Sequence, residues 1–362
     1  MPFDTSPPGI PSRALDERGG KTAIVRWLML VAGMIWVMIA IGGATRLTGS
    51  GLSIMEWAPL AGALPPLSEA EWQRLFDLYR AIPQYALVNQ GFGLEGFKQI
   101  FWLEWVHRLW GRLIGLAYLL PFLWFWIRGR VPRPLLPRLL GLFLLGGMQG
   151  AVGWFMVASG FEADRTAVSP YRLVVHLGLA LLLYAAILWT ALDLLRPRPE
   201  ALPAARVSLR RWAKATTWLL VAAMLAGGFV AGLRAGLAYN SFPLMDGQLV
   251  PSGYAAQTPF WRNLTENIAA VQFNHRLLAS LALLATSGLA ILAWRRLPQS
   301  LARRCCLGLA AAVALQYGLG VATLLLVVPV WLGTLHQATA VLVLTAALLV
   351  LHALRGTEIR TA

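Results

Sequence analysis

The chain reads as eight long apolar runs separated by polar segments. A span needs roughly 20 apolar residues to cross the hydrocarbon core, and the pattern predicts such helices over about 24–46, 100–126, 137–158, 170–195, 213–234, 267–293, 304–328 and 331–353. Little more than "VPVW" separates the last two, which predicts a tight outer hairpin. The expected fold is an all-α polytopic membrane protein.

Composition agrees, since 58% of the 362 residues are apolar and 13% charged, a balance no single soluble domain shows. Charge then orients the spans. Arg13, Arg18, Lys21 and Arg26 precede the first, and Arg128, Arg130, Arg133 and Arg138 follow the second. Arg196, Arg198, Arg206, Arg210, Arg211 and Lys214 follow the fourth, Arg295, Arg296, Arg303 and Arg304 the sixth, and Arg355 and Arg360 the eighth. Basic loops stay on the cytoplasmic side, so both termini are expected there. The net charge of +15 is thereby explained by topology and calls for no nucleic-acid partner. Residues 1–23 read as a cytoplasmic tail without the apolar core of a signal peptide. Cys305 and Cys306, the only cysteines, fall at the cytoplasmic start of the seventh run, so no disulfide framework is expected.

The largest outer connection, about 47–99, contains "LSEAEWQRLFDLYRAIPQY". Ser68 and Glu71 have capping-box spacing, and Trp72, Leu75, Phe76 and Tyr79 share one helical face. An amphipathic outer helix is predicted, as a lid or as packing.

A search for internal repeats changes the organisation. Gly42-Gly43 and Gly51-Leu52 recur as Gly227-Gly228 and Gly236-Leu237 at an offset of 185; His-Arg at 107–108 recurs at 275–276; Gln149 and Gly153 recur as Gln316 and Gly320; His176 matches His336. Two pseudo-symmetric four-helix bundles are implied, an N-terminal half over 24–195 and a C-terminal half over 213–353. A cytoplasmic linker over 196–212 and a tail over 354–362 complete the layout.

Four of the five histidines occupy equivalent places. His107, His176, His275 and His336 lie one to two turns, roughly 8–12 Å, below the outer surface, one pair per half. The fifth, His352, falls roughly 24 Å further along its helix and is expected at the cytoplasmic boundary without a site role. A lone membrane histidine is ordinarily a hydrogen-bonded core residue, but paired imidazoles on facing helices are a common way to hold haem iron axially. Zinc would want three or four ligands with a carboxylate or thiolate among them. The expected iron sites are therefore His107 with His176 and His275 with His336. Arg108 and Arg276, together with Arg46 and Arg112, are candidate partners for haem propionates, although an interfacial arginine also snorkels to water.

At these residues the chain resembles the haem A synthase family. The resemblance rests on "GGATRLTGSGLSIMEWAPL", "EWVHRLWGR", "VVHLGLA", "FNHRLLA" and "TLHQATA", and covers about 24–353. It implies oxidation of the C8 methyl of haem O to a formyl group, giving haem A for cytochrome oxidase. By position it implies that His107 and His176 flank the substrate haem, that His275 and His336 ligate a haem b, and that Glu104 is the catalytic carboxylate. Some members carry a cysteine pair in the first outer loop; here 47–99 has none, which resembles the proteobacterial and mitochondrial branch. The bacterial inner membrane is the expected location. Haem O synthase, a quinone or another electron acceptor and further copies of the chain are the partners considered besides lipid.

Read from the residues alone, Glu104 and His107 are spaced i, i+3 and project from one helical face. A carboxylate beside a haem edge in low dielectric acts as a base or stabilises developing positive charge. The second half has Gln272 at the matching place, which does neither. Glu104 could instead serve only as an i+4 partner of Arg108. A two-haem b-type electron carrier would need the same histidines but not the Glu104/Gln272 difference, and a haem transporter would need an inner-side receiving pair that is missing.

Overall fold

A computed structural model describes residues 12–58, 61–163, 165–196, 201–355 and 357–358. Among them are eight helices long and apolar enough to cross a membrane, in the order the apolar runs predict: α1 (Ser12–Leu47), α4 (Leu94–Ile127), α5 (Leu136–Ala158), α6 (Pro170–Leu195), α7 (Arg206–Gly232), α9 (Ile268–Arg296), α10 (Leu301–Leu325) and α11 (Val330–Ala353). The outer connections add α2 (Glu69–Arg80), α3 (Pro83–Leu87) and α8 (Asn263–Glu266). The only strand pairing among the described residues is the two-residue match of Ala201–Leu202 with Thr357–Glu358. The protein is an all-α, multi-pass membrane protein.

Several helices begin where the chain offers a start signal. Asn267 caps α9, its side chain accepting from the amides of Ala269 and Ala270, and Ser300 caps α10 by accepting from Arg303. Pro170 opens α6, where a missing N–H costs nothing. The three largest differences from the hydropathy reading arise because a helix continues past its apolar segment. α1 begins at Ser12 within the expected tail, whose first eleven residues lie outside the described ones. α7 begins at Arg206 within the expected linker. α4 begins at Leu94, because its first turns are covered by protein and need not match the membrane.

That cover is α2. Ser68 accepts a hydrogen bond from the Glu71 amide as its N-cap, and Trp72, Leu75, Phe76 and Tyr79 are the residues α2 buries. They form one cluster with Phe97, Ile100 and Phe101 of α4 and Leu52 of the preceding loop. The amphipathic face thus packs on protein, which decides for packing. Each half closes a ring: α1, α4, α5 and α6 pack in sequence, as do α7, α9, α10 and α11. The halves meet where α1 contacts α11 and α6 contacts α7 and α11.

Candidate functional site

The four histidines are each pressed against a glycine of a neighbouring helix. A Cβ built on Gly42 would stand 3.3 Å from Nε2 of His107, and one on Gly227 3.0 Å from Cε1 of His275. On Gly153 and Gly320 it would meet Cε1 of His176 and His336 at 2.8 and 2.9 Å. A methyl on Gly153 or Gly320 would force the ring to move, and one on Gly42 or Gly227 would make the ring give by a few tenths of an ångström, so close approach favours glycine at all four. Gln149 and Gln316 add a second restraint. Nε2 of Gln149 donates to the His176 carbonyl at 3.2 Å, and Nε2 of Gln316 to the His336 carbonyl at 3.0 Å, each also lying against the imidazole ring. The glycine and glutamine repeats, weak as sequence matches, are therefore the setting of the histidines.

His107 and His176 lie within electrostatic reach of each other, and so do His275 and His336. The Ala223 carbonyl accepts at 3.0 Å from Nδ1 of His275, which leaves Nε2 as that ring's free electron pair. Nδ1 of His176 is buried without a partner. Among the described residues no three His, Cys, Asp or Glu side chains gather as a metal site. The donor set is thus two neutral-capable imidazoles per half, which suits a planar group ligated on both faces and does not suit zinc.

Glu104 is only 2% exposed, and both carboxylate oxygens are occupied. Oε2 accepts from the Ser53 amide and hydroxyl, both at 2.7 Å, and from the Ile54 amide at 2.9 Å. Oε1 accepts from Nη2 and Nε of Arg108 at 2.7 and 3.1 Å. Arg108 in turn donates to the carbonyls of Ile54 and Glu56. The Glu56 carboxylate binds Arg74 of α2 at 2.8 Å, and that guanidinium holds the Glu56 carboxyl below its ordinary range. One chain of contacts thereby ties the outer loop, α2 and the turn of α4 that carries His107.

The second half repeats the clamp with its polarity reversed. Arg276 donates to the carbonyls of Tyr239 and Ser241 and to Oε1 of Gln272. At the repeat offset of 185, these carbonyls are the counterparts of Ile54 and Glu56. Gln272, 3% exposed, directs Nε2 to the carbonyls of Ala235 and Ala238 at 2.8 and 2.6 Å. The first loop therefore offers donors to a carboxylate, and the second offers acceptors to an amide. No sequence pattern marks Ser53 and Ile54 as Glu104's partners, because the contacts are made mainly by backbone.

The other predicted arginines also face backbone. Arg112 donates to the Ala58 carbonyl at 2.9 Å, and Arg46 crosses between the halves to the Gly232 carbonyl at 2.9 Å. His352 is remote from the four. It is buried at the other end of α11, with Nε2 3.4 Å from Asp193 and its ring 5.3 Å from that of Trp189.

Residues 25–348 match the family model described as cytochrome oxidase assembly protein. The chain belongs to that family. Curated relatives include the heme A synthase of Granulibacter bethesdensis, 58% identical over 94% of this chain and 89% of the relative. That of Rhodospirillum centenum is 55% identical over 93% and 89%, and that of Parvibaculum lavamentivorans 49% identical over 92% and 94%. The family assignment and these relatives agree on a membrane oxidoreductase acting on haem.

Proposed function

We propose that this protein is a haem A synthase that oxidises the C8 methyl of haem O to a formyl group, in the inner membrane of a bacterium with both termini cytoplasmic. The observation that carries the reading is the pair of histidine sites with unlike clamps, Glu104 in one and Gln272 in the other, in a chain whose relatives bear that name. The halves 24–195 and 213–353 are the two units, related by duplication, with 196–212 as linker and 1–23 and 354–362 as tails. His107 and His176 hold the substrate haem and His275 and His336 a resident haem b, whose iron supplies one-electron chemistry when bound. The b-type carrier and the transporter leave the carboxylate difference without a purpose.

The chain's own residues have distinct tasks in this reading. Gln149 and Gln316 fix the helix turn and ring of one histidine per site, since a ligand's orienting partner governs how firmly the iron is held. Arg46, Arg108, Arg112 and Arg276 are the cations this reading offers to two propionates. Glu104 supplies a fixed negative charge in low dielectric one turn from His107, where positive character develops on an oxidised carbon. Haem O synthase as donor of the substrate, a quinone or protein electron acceptor, and self-association are proposed partners.

The direct test is haem extraction from membranes expressing the chain together with a source of haem O: haem A should accumulate, and its absence with haem bound would overturn the enzyme assignment. Gln316→Leu should weaken retention of the second-half haem by roughly 10–100-fold, read by dialysis of the purified protein, and leave the first site unchanged. In intact cells the 47–99 loop should be open to external protease and tags at both termini protected; an external tail would invert the topology.

A further inference from the structure

The two glycine pairs sit where the halves meet, and each glycine of a pair faces a different site. Gly42 of α1 is pressed on His107 of its own half, whereas a Cβ on Gly43 would stand 2.6 Å from Oε1 and 2.9 Å from Cδ of Gln337. Gln337 follows His336 in α11 and belongs to the other half. The counterpart is inverted: Gly227 of α7 is pressed on His275, and a Cβ on Gly228 would meet Val174 and Leu177 of α6 at 3.0 and 3.2 Å. Leu177 follows His176. One continuous path of contact therefore runs His107, Gly42, Gly43, Gln337, His336, and its mirror runs His275, Gly227, Gly228, Leu177, His176.

The two seams differ in stiffness. Gln337 donates from Nε2 to the Ile39 carbonyl of α1 at 2.8 Å, and Trp36 of α1 donates back to the Ala338 carbonyl of α11 at 2.9 Å. Reciprocal hydrogen bonds inside a bilayer fix register as well as distance. At Gly228 the contacts are aliphatic, and aliphatic packing tolerates sliding. Buried interfaces of this tightness shift between discrete arrangements instead of absorbing a displacement locally.

We propose that Gln337 and the Gly42-Gly43 pair are positioning residues that couple the two histidine sites, so that the ligand geometry of the His275/His336 site is set in part by contacts made from the half that holds His107. The proposal rests on the haem reading given above. It assigns Gly43 to the site across the seam, although the nearest histidine in sequence and helix lies on its own side.

The test uses the purified full chain with haem bound, read by the low-temperature absorption and electron paramagnetic resonance signals of each low-spin centre. His275→Ala and His336→Ala first identify the second-site signal; if neither removes any signal, the two-site haem reading itself fails. With that signal identified, Gly43→Ala should shift it and its reduction potential although no residue of the second half has changed, and Gly42→Ala should shift the first-site signal instead. The double variant Gly43→Ala/Gln337→Ala should recover most of the thermal midpoint that Gly43→Ala loses, because removing the glutamine makes room for the methyl, while its second-site signal stays shifted because the hydrogen bond to the Ile39 carbonyl is gone. Gln337→Leu, which gives α11 the residue α6 carries, should produce a smaller shift of the same signal if Gly43→Ala does not fold. A Gly43→Ala shift confined to the first site, an unchanged second-site signal in both Gly43→Ala and Gln337→Leu, or no recovery of the thermal midpoint in the double variant would overturn the coupling.

Discussion

His336→Ala is expected to abolish the low-spin b-type signal of the second half, and His275→Ala to do the same, while the His107/His176 site still takes up haem. Each replacement deletes one of only two imidazoles that the structure brings together in that half, and among the described residues no third carboxylate, thiolate or histidine joins them to take over. The loss should be all but complete in optical spectra of the purified protein, since one remaining axial imidazole leaves the low-spin state unsupported. The structure also offers a control for misfolding. His336 packs on Gly320, so its removal leaves a ring-sized space bounded by a helix face without a side chain. Added imidazole should enter that space and restore the signal in His336→Ala, as small ligands fill engineered cavities. A variant that had lost the fold would not respond. Signals unchanged in both single variants would reject the assignment of the second site.

The sequence announced the spans and the histidines for the same reason: in a bilayer, a helix is a long apolar run and a polar residue inside it stands out. Eight runs and four equivalent histidines could therefore be counted before any contact was known. The register of the repeat likewise placed Gly153 with Gly320 and Gln149 with Gln316. Their task stayed hidden because a glycine facing lipid and a glycine facing an imidazole look alike in a one-dimensional pattern. Helix ends were the least legible, as at α4, whose first turns are sheltered by α2 and so escape the hydropathy rule. The clamp on Glu104 was out of reach for a further reason. It is made by the amides of Ser53 and Ile54, and backbone donors carry no residue identity.

Glu104→Gln should lower haem A formation per bound haem by roughly 10²–10⁴, the range typical of losing one acid-base group or one charge-stabilising group. The match with Gln272 suggests that glutamine is harmless here, but the two loops argue otherwise. Gln272 turns its NH₂ to two carbonyls, whereas Glu104 faces two amides and a hydroxyl on one oxygen and Arg108 on the other. An amide at position 104 must oppose donor to donor on one side or the other. Removing one member of a buried ion pair typically costs about 3–5 kcal/mol, so the outer loop should also loosen. Lost turnover alone therefore does not separate chemistry from positioning, and Arg108→Lys is the variant that does. It keeps the negative charge of Glu104 and a cation beside it, but a lysine cannot reproduce the guanidinium fork that spans Glu104 and the Ile54 and Glu56 carbonyls. If Glu104 acts through its charge, Arg108→Lys retains most of the turnover per bound haem, a measure that sets aside any weaker hold on a propionate, although protease cuts residues 48–58 faster than in the parent protein. If Glu104 acts only by holding the loop, turnover in both variants falls in proportion to that cleavage rate, and the catalytic role of the carboxylate is rejected.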